Sequence, residues 1–157
     1  MVINLYAVSK LLGPSLIGMA FIGLIPTVYA LFTNTEGASS FVVMIVIAFS
    51  AGKILSWLGK KSGQYVVTIR ELFLFTASLW VALTLISAIP IYVLLPDVDY
   101  AGAIFESASA LSTTGATAIN HLDDRPTAIL LWRSMLQLMG GLGFVVIAVA
   151  VLPQVAM

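Results

Sequence analysis

The apolar positions of this chain gather into four long runs separated by short polar stretches. Leu11 to Phe32 carries no charge and has about the length needed to cross a ~30 Å hydrocarbon layer at ~1.5 Å per residue. It reads as a first transmembrane helix. Lys10, the apolar run and the small residue at Ala30 also resemble a secretory signal, but the run exceeds the usual signal core of about 7–15 residues, so a retained helix is expected. Ser40 to Leu58 is the second span, with Lys53 close enough to its end to snorkel to the interface. Leu72 to Leu95 is the third, with Pro90 near its end, and Ile129 to Leu152 is the fourth, closed by Pro153.

Between the third and fourth spans, Pro96 to Ala128 breaks this rhythm. Its ends are polar, with Pro96, Asp97 and Asp99 on one side and His121, Asp123, Asp124, Arg125 and Pro126 on the other. Tyr100 to Ser112 is apolar enough for a helix, but at ~1.5 Å per residue it reaches only about 20 Å, too short to span. A half-length helix with polar flanks predicts a re-entrant segment that enters and leaves on one face. The expected fold is therefore all-α and polytopic: four transmembrane helices and one re-entrant helix with the loop that follows it.

Composition supports that picture, with apolar residues at 61% of the 157 positions and charged residues at 9%, against roughly 25% charged in ordinary soluble domains. Net charge is zero, so no whole-chain field points to nucleic acid. With no cysteine and one histidine, a disulfide framework is excluded and a zinc or haem site would have to rest mostly on carboxylates. Lys53, Lys60, Lys61 and Arg70 surround the link between spans two and three, whereas the link between spans one and two carries only Glu36. The positive-inside bias then puts the N-terminus and Lys10 in the cytoplasm, and Pro96 to Ala128 outside. Apart from Glu71, the acidic residues fall on that outer side, where they would concentrate cations.

The chemistry is concentrated in Ser112-Thr113-Thr114-Gly115-Ala116-Thr117, directly after the short helix. A potassium filter needs backbone carbonyls turned toward one axis in place of the ion's water shell, and that demands backbone twists L-residues resist. Glycine is permissive there, and small or hydroxylated neighbours let strands approach one another and tie the loop to its helix. The helix would end at the loop, its partial negative charge favouring a cation. Taken alone, Thr-Thr-Gly-Ala-Thr also fits an ordinary polar turn; its setting between two full spans turns the reading toward a pore.

Phe105-Glu106-Ser107, the loop above, Leu122-Asp123-Asp124, Ile129-Leu130-Leu131-Trp132-Arg133-Ser134, Gln137 and Gly140-Gly141-Leu142-Gly143 together resemble the first pore repeat of the Trk-type potassium-uptake membrane subunits, within the Trk/Ktr/HKT superfamily. The resemblance is close from about Phe105 to Pro153 and looser over the leading helices, which fit that family's extra N-terminal pair. It implies a two-helix unit at 1–70 and a helix, pore-loop, helix repeat at 71–157. It implies potassium uptake across the bacterial inner membrane, down an electrical gradient or by symport, with carbonyls of Thr113 and Thr114 as potassium ligands and Gly115 and Ala116 completing the strand. Potassium is substrate here; no cofactor and no enzymatic step are implied. The implied partners are the lipid bilayer, three further pore repeats, a second copy in a homodimer and a cytosolic nucleotide-binding regulatory subunit. Complete members carry four repeats in one chain and this one ends after the first, so it reads as a fragment. An alternative reading is a non-conducting membrane fragment or assembly partner.

Outside the loop, Glu106 in the short helix and Arg133 in the span after it are expected to pair and brace the filter, the alternative being that Arg133 reaches the headgroups. Asp123 and Asp124 read as a solvated turn that could also attract cations, and His121 as an exposed loop residue. The Gly140, Gly141 and Gly143 group suggests a close helix contact or a bend. Trp57, Trp80, Trp132, Tyr29 and Tyr92 are expected as interfacial anchors.

Overall fold

The computed structural model describes residues 3–63 and 67–155. It is helical, with no β-sheet among the described residues: α1 (Leu5–Ile22), α2 (Leu24–Phe32), α3 (Ala38–Gly59), α4 (Ile69–Leu94), α5 (Tyr100–Leu111) and α6 (Thr127–Val155). Single 3₁₀ turns follow α3 at Lys60–Ser62 and precede α6 at Leu122–Asp124. Residues 64–66, in the polar stretch before α4, lie outside the described residues, as do the side chains of 144 and 146–152 in the fourth predicted span.

The first predicted span is longer than expected and broken. Its helix starts at Leu5 because Asn4 caps it, accepting from the N–H groups of Tyr6 at 3.0 Å and Ala7 at 3.3 Å. Lys10 does not stop it, since its ammonium reaches out to the Gly63 carbonyl at 3.2 Å. The break at Gly23 follows from Pro26, which has no N–H to give one turn back and whose ring presses on the Ile22 carbonyl. The Thr27 hydroxyl takes up the Gly23 carbonyl at 2.8 Å. Leu5–Phe32, Ala38–Gly59 and Ile69–Leu94 are each long and apolar enough to cross a membrane, with mean hydropathy of 1.9, 2.1 and 2.2. The 29-residue α6 contains the fourth predicted run and continues through Pro153 to Val155 rather than closing there. A proline one turn from a helix end has few downstream bonds to disrupt.

Helix α1 lies antiparallel on α3 with backbones almost in contact. A Cβ on Gly13 would stand 2.6 Å from the Ser56 nitrogen, one on Gly52 2.8 Å from the Gly13 carbonyl, and one on Gly59 2.5 Å from the Lys10 Cα. Such small-residue seams let membrane helices gain dispersion contacts that larger side chains would block.

At that end of the molecule Glu71 is fully buried. One of its oxygens accepts from the Thr68 N–H and hydroxyl, each at 2.9 Å, closing a capping box at the start of α4, and the other accepts the Asn4 N–H at 2.8 Å. The sequence set Glu71 apart only as the acidic residue off the outer side; in the fold it ties α1 to α4. At the opposite end Gly37, with φ +118°, sits where a Cβ would meet Leu94 Cδ2 at 2.7 Å. Helix α5 leaves from that end, capped by Asp99, which accepts the Gly102 N–H at 2.7 Å.

The aromatic residues divide differently from the expectation. Trp57 and Tyr92 stand exposed near helix ends, but Trp132 has no exposed surface and Trp80 lies mid-way along α4. Trp132 packs edge-on against Phe41, with ring centroids 5.8 Å apart, and donates its indole N–H to the Ser87 carbonyl at 3.1 Å. That carbonyl is one residue past the one Pro90 leaves without a helical partner, so a buried ring with one polar tip suits the site. Tyr29 is half-buried against the same core. Outward-facing Phe21, Phe32, Phe73, Val81, Leu138 and Leu142 leave far more apolar surface than a water-soluble monomer exposes.

Candidate functional site

Helix α5 unwinds into the Gly115 loop through a run of turn bonds: Ser112 N–H to Ala108 O at 2.9 Å, Thr113 N–H to Ala110 O at 3.1 Å and Thr114 N–H to Ser109 O at 3.0 Å. Residues 112–118 then run exposed until Ile119 is buried. Thr113 and Gly115 have φ of +56° and +78°, while Thr114 and Ala116 do not have positive φ. Left-handed residues at every second position turn successive carbonyls toward one edge of the strand, whereas a regular β-strand alternates them. Glycine adopts this conformation freely; a β-branched threonine does so at a cost of about 1–2 kcal/mol, which the surroundings must offset.

Those surroundings are hydrogen bonds back to α5. The Ser109 hydroxyl donates to the Ala116 carbonyl at 2.6 Å, and the Ser112 and Thr114 hydroxyls share a bond of 2.7 Å. One turn earlier, the buried Glu106 carboxylate uses one oxygen to accept from the Thr117 hydroxyl at 3.0 Å and the Ala118 N–H at 2.8 Å. Its other oxygen meets Arg133 Nε at 2.5 Å. Arg133 is itself only 8% exposed, its guanidinium turned inward onto Glu106. A buried carboxylate with two neutral donors and a guanidinium partner meets the conditions under which two charges persist in an apolar interior.

Helix α6 supplies a second contact. A Cβ on Gly140 would lie 1.7 Å from the Leu111 carbonyl, so the α6 backbone rests directly on the last turn of α5. A Cβ on Gly141 would lie 3.7 Å from the Thr113 methyl, and one on Gly143 would meet nothing within 4 Å. Beside these residues is a mainly apolar cavity of about 510 Å³, bounded by Trp80, Leu111, Ser112, Thr113, Gly140 and Gly141.

The 96–128 segment is also clasped at its ends. Arg125 holds Asp97 with both terminal nitrogens, the Nη1 bond being 2.9 Å, and its Nε donates to the Asn120 carbonyl at 3.0 Å. The guanidinium hydrogen bond holds the Asp97 carboxyl below the usual carboxylate range. Sequence reasoning placed both residues among polar flanks and missed the pair; opposite charges at the two ends of one loop were the available signal. Ser109 was likewise missed, for nothing in its sequence context separates it from its neighbours. Asp123 and Asp124 are exposed in their 3₁₀ turn, and His121 is exposed with φ +51°.

Long apolar helices with outward hydrophobic faces, folded around a short helix that ends in an exposed glycine-centred strand, define a multi-pass helical membrane protein. The chain belongs to the TrkH family of cation transport proteins, which matches residues 37–156. It is 36% identical over 148 residues to the Trk system potassium uptake protein TrkH of Escherichia coli K12, covering 94% of this chain and 30% of that protein. The TrkG protein of the same organism is 38% identical over 129 residues, 82% of this chain and 26% of TrkG. The crystal structure of the potassium transporter TrkH from Vibrio parahaemolyticus superposes with a TM-score of 0.85 at 31% identity, covering 96% of this chain and 32% of that one. The chain thus spans about a third or less of the length of these relatives. The family is one of membrane transporters, which is not an enzyme class.

Proposed function

We propose that this chain forms the first pore repeat, with its preceding helix pair, of a four-repeat potassium-uptake transporter of the bacterial inner membrane. Residues 1–70 are the N-terminal helix pair and 71–157 the repeat, in which α4 and α6 span the membrane and α5 re-enters it from the outer side as a pore helix. The carbonyls of Thr113 and Thr114 bind dehydrated potassium, and Gly115 and Ala116 complete the filter strand. The observation that carries this reading is the alternation of left-handed φ at Thr113 and Gly115 in an exposed strand fastened along α5. Carbonyls brought to one edge are what a filter needs, and three further repeats would close the ring around the ion. The names of the relatives, potassium uptake proteins and a potassium transporter, agree with the ion.

In this arrangement Glu106 and Arg133 brace the filter from behind. Lys10, Lys53, Lys60, Lys61 and Arg70 mark the cytoplasmic side, where the N-terminus lies and a nucleotide-binding regulatory subunit would dock on a transporter dimer. Potassium enters down the electrical gradient, alone or by symport, with no covalent step.

The test is Gly115→Leu in the intact transporter, expressed in a bacterium lacking other potassium uptake. Growth on limiting potassium and rubidium uptake should collapse while the protein remains in the membrane. Uptake at the wild-type rate would instead identify a non-conducting assembly partner.

A further inference from the structure

Helix α5 presents two side chains one turn apart, Glu106 and Ser109, to the strand that follows it, and they hold it in opposite ways. Glu106 accepts from the strand, taking the Thr117 hydroxyl and the Ala118 N–H. Ser109 donates to it, its hydroxyl lying 2.6 Å from the Ala116 carbonyl oxygen, while its own carbonyl accepts the Thr114 N–H at 3.0 Å. Ser109 is 6% exposed, so water does not compete for its hydroxyl, whereas Ala116 lies in the exposed strand. The Ala116 carbonyl is therefore drawn back toward α5. The positive φ values of this strand occur at Thr113 and Gly115, and the next residue with positive φ is His121. Alternation and the Ser109 bond mark the same boundary.

We propose that Ser109 is a positioning residue that sets the outer end of the ion path: by engaging the Ala116 carbonyl it leaves this repeat with the carbonyls of Thr113, Thr114 and Gly115 to offer a cation. This rests on the filter reading above and narrows it, since Ala116 then completes the strand without serving as a ligand. A hydroxyl–carbonyl bond whose donor is buried resists exchange with an ion that must itself shed water. Without it, the Ala116 carbonyl is free to swing to the open edge and add a fourth oxygen, and the balance between potassium and the smaller sodium ion changes.

The experiment is potassium, rubidium and sodium uptake by the intact transporter carrying Ser109→Ala, Ser109→Thr or Ser109→Cys, with the amount of protein in the membrane measured alongside. Ser109→Ala should shift the potassium-to-sodium uptake ratio by about 2- to 10-fold, the range one hydrogen bond governs. Ser109→Thr, which keeps the hydroxyl, should return the ratio to wild type. A purely architectural serine would alter protein level and leave the ratio unchanged, and that result overturns the inference. If the alanine protein is degraded, Ser109→Cys decides, because it preserves bulk and weakens the donor: an altered ratio supports the assignment and a wild-type ratio overturns it. Gly115→Leu in the same strain separates the two levels. Full uptake there ends the filter reading; lost uptake there, with an unchanged ratio in Ser109→Ala, ends only this inference.

Discussion

Glu106 on α5 and Arg133 on α6 meet at 2.5 Å with both side chains buried, although 27 residues separate them in the chain. Because the second Glu106 oxygen binds the strand after Gly115, the pair links α6 to that strand through one carboxylate. Removing the charge of one partner leaves the other buried and uncompensated, at a cost of about 3–5 kcal/mol. Glu106→Gln should therefore lower the melting temperature of the detergent-solubilised intact protein and weaken its discrimination of potassium over sodium. Combining it with Arg133→Gln should recover part of the stability. Unchanged stability and selectivity in Glu106→Gln would remove the pair from any bracing role.

Gly140 bears on the same region from the α6 side. A methyl group there would overlap the Leu111 carbonyl, a backbone atom that cannot swing aside. Gly140→Ala should push α6 off the end of α5, costing at least about 1–3 kcal/mol and reducing ion uptake. Gly143→Ala, in the same helix with nothing within 4 Å of the added carbon, is the control and should be tolerated in both melting and uptake assays.

The α1–α3 seam makes a similar prediction far from the Gly115 strand. Gly52→Val would drive side-chain atoms into Ile17 and the Gly13 carbonyl, so the helix pair should separate, with a loss of about 1–3 kcal/mol in thermal unfolding. Gly18→Ala, which has open space, should melt as the wild type does. Equal melting temperatures for the two variants would show that the close approach is dispensable.

The Asp97–Arg125 clasp carries a pH dependence. The folded carboxyl titrates below its unfolded value of about 3.9, so its contribution to stability is whole above about pH 4 and is lost as pH falls through the lower folded value. The melting-temperature gap between wild type and Asp97→Asn should be constant from pH 5 upward and close in stronger acid. A gap that persists unaltered at the acid limit would mean the carboxylate charge is not what holds the loop. The pair is partly exposed, so the gap should also shrink with added salt.

How much of this was legible beforehand depends on the range of the interaction. The half-length helix was recognisable because its apolar run is short and its flanks are polar, both local properties, and its boundaries at Tyr100 and Leu111 agree with the run to within a residue. Trp132 misled because an aromatic near a span end suits an interface on composition alone; the ring of Phe41 and the carbonyl of Ser87 that hold it inside come from distant segments. Glu71 was underrated for the same reason, its partner Asn4 being 67 residues away.

From the linear order of residues alone came the membrane character, the extents of the apolar runs and the position of the glycine-centred strand, because each depends on hydropathy summed over neighbours and on what one residue's backbone tolerates. Folding in three dimensions settled what could not be read that way: that Glu106 meets Arg133, that Gly140 carries α6 onto the end of α5, and that Ser109 claims the Ala116 carbonyl. Hydrogen bonds and close contacts require atoms to arrive within a few ångströms, and in a helical membrane protein that proximity is set by how separate helices pack.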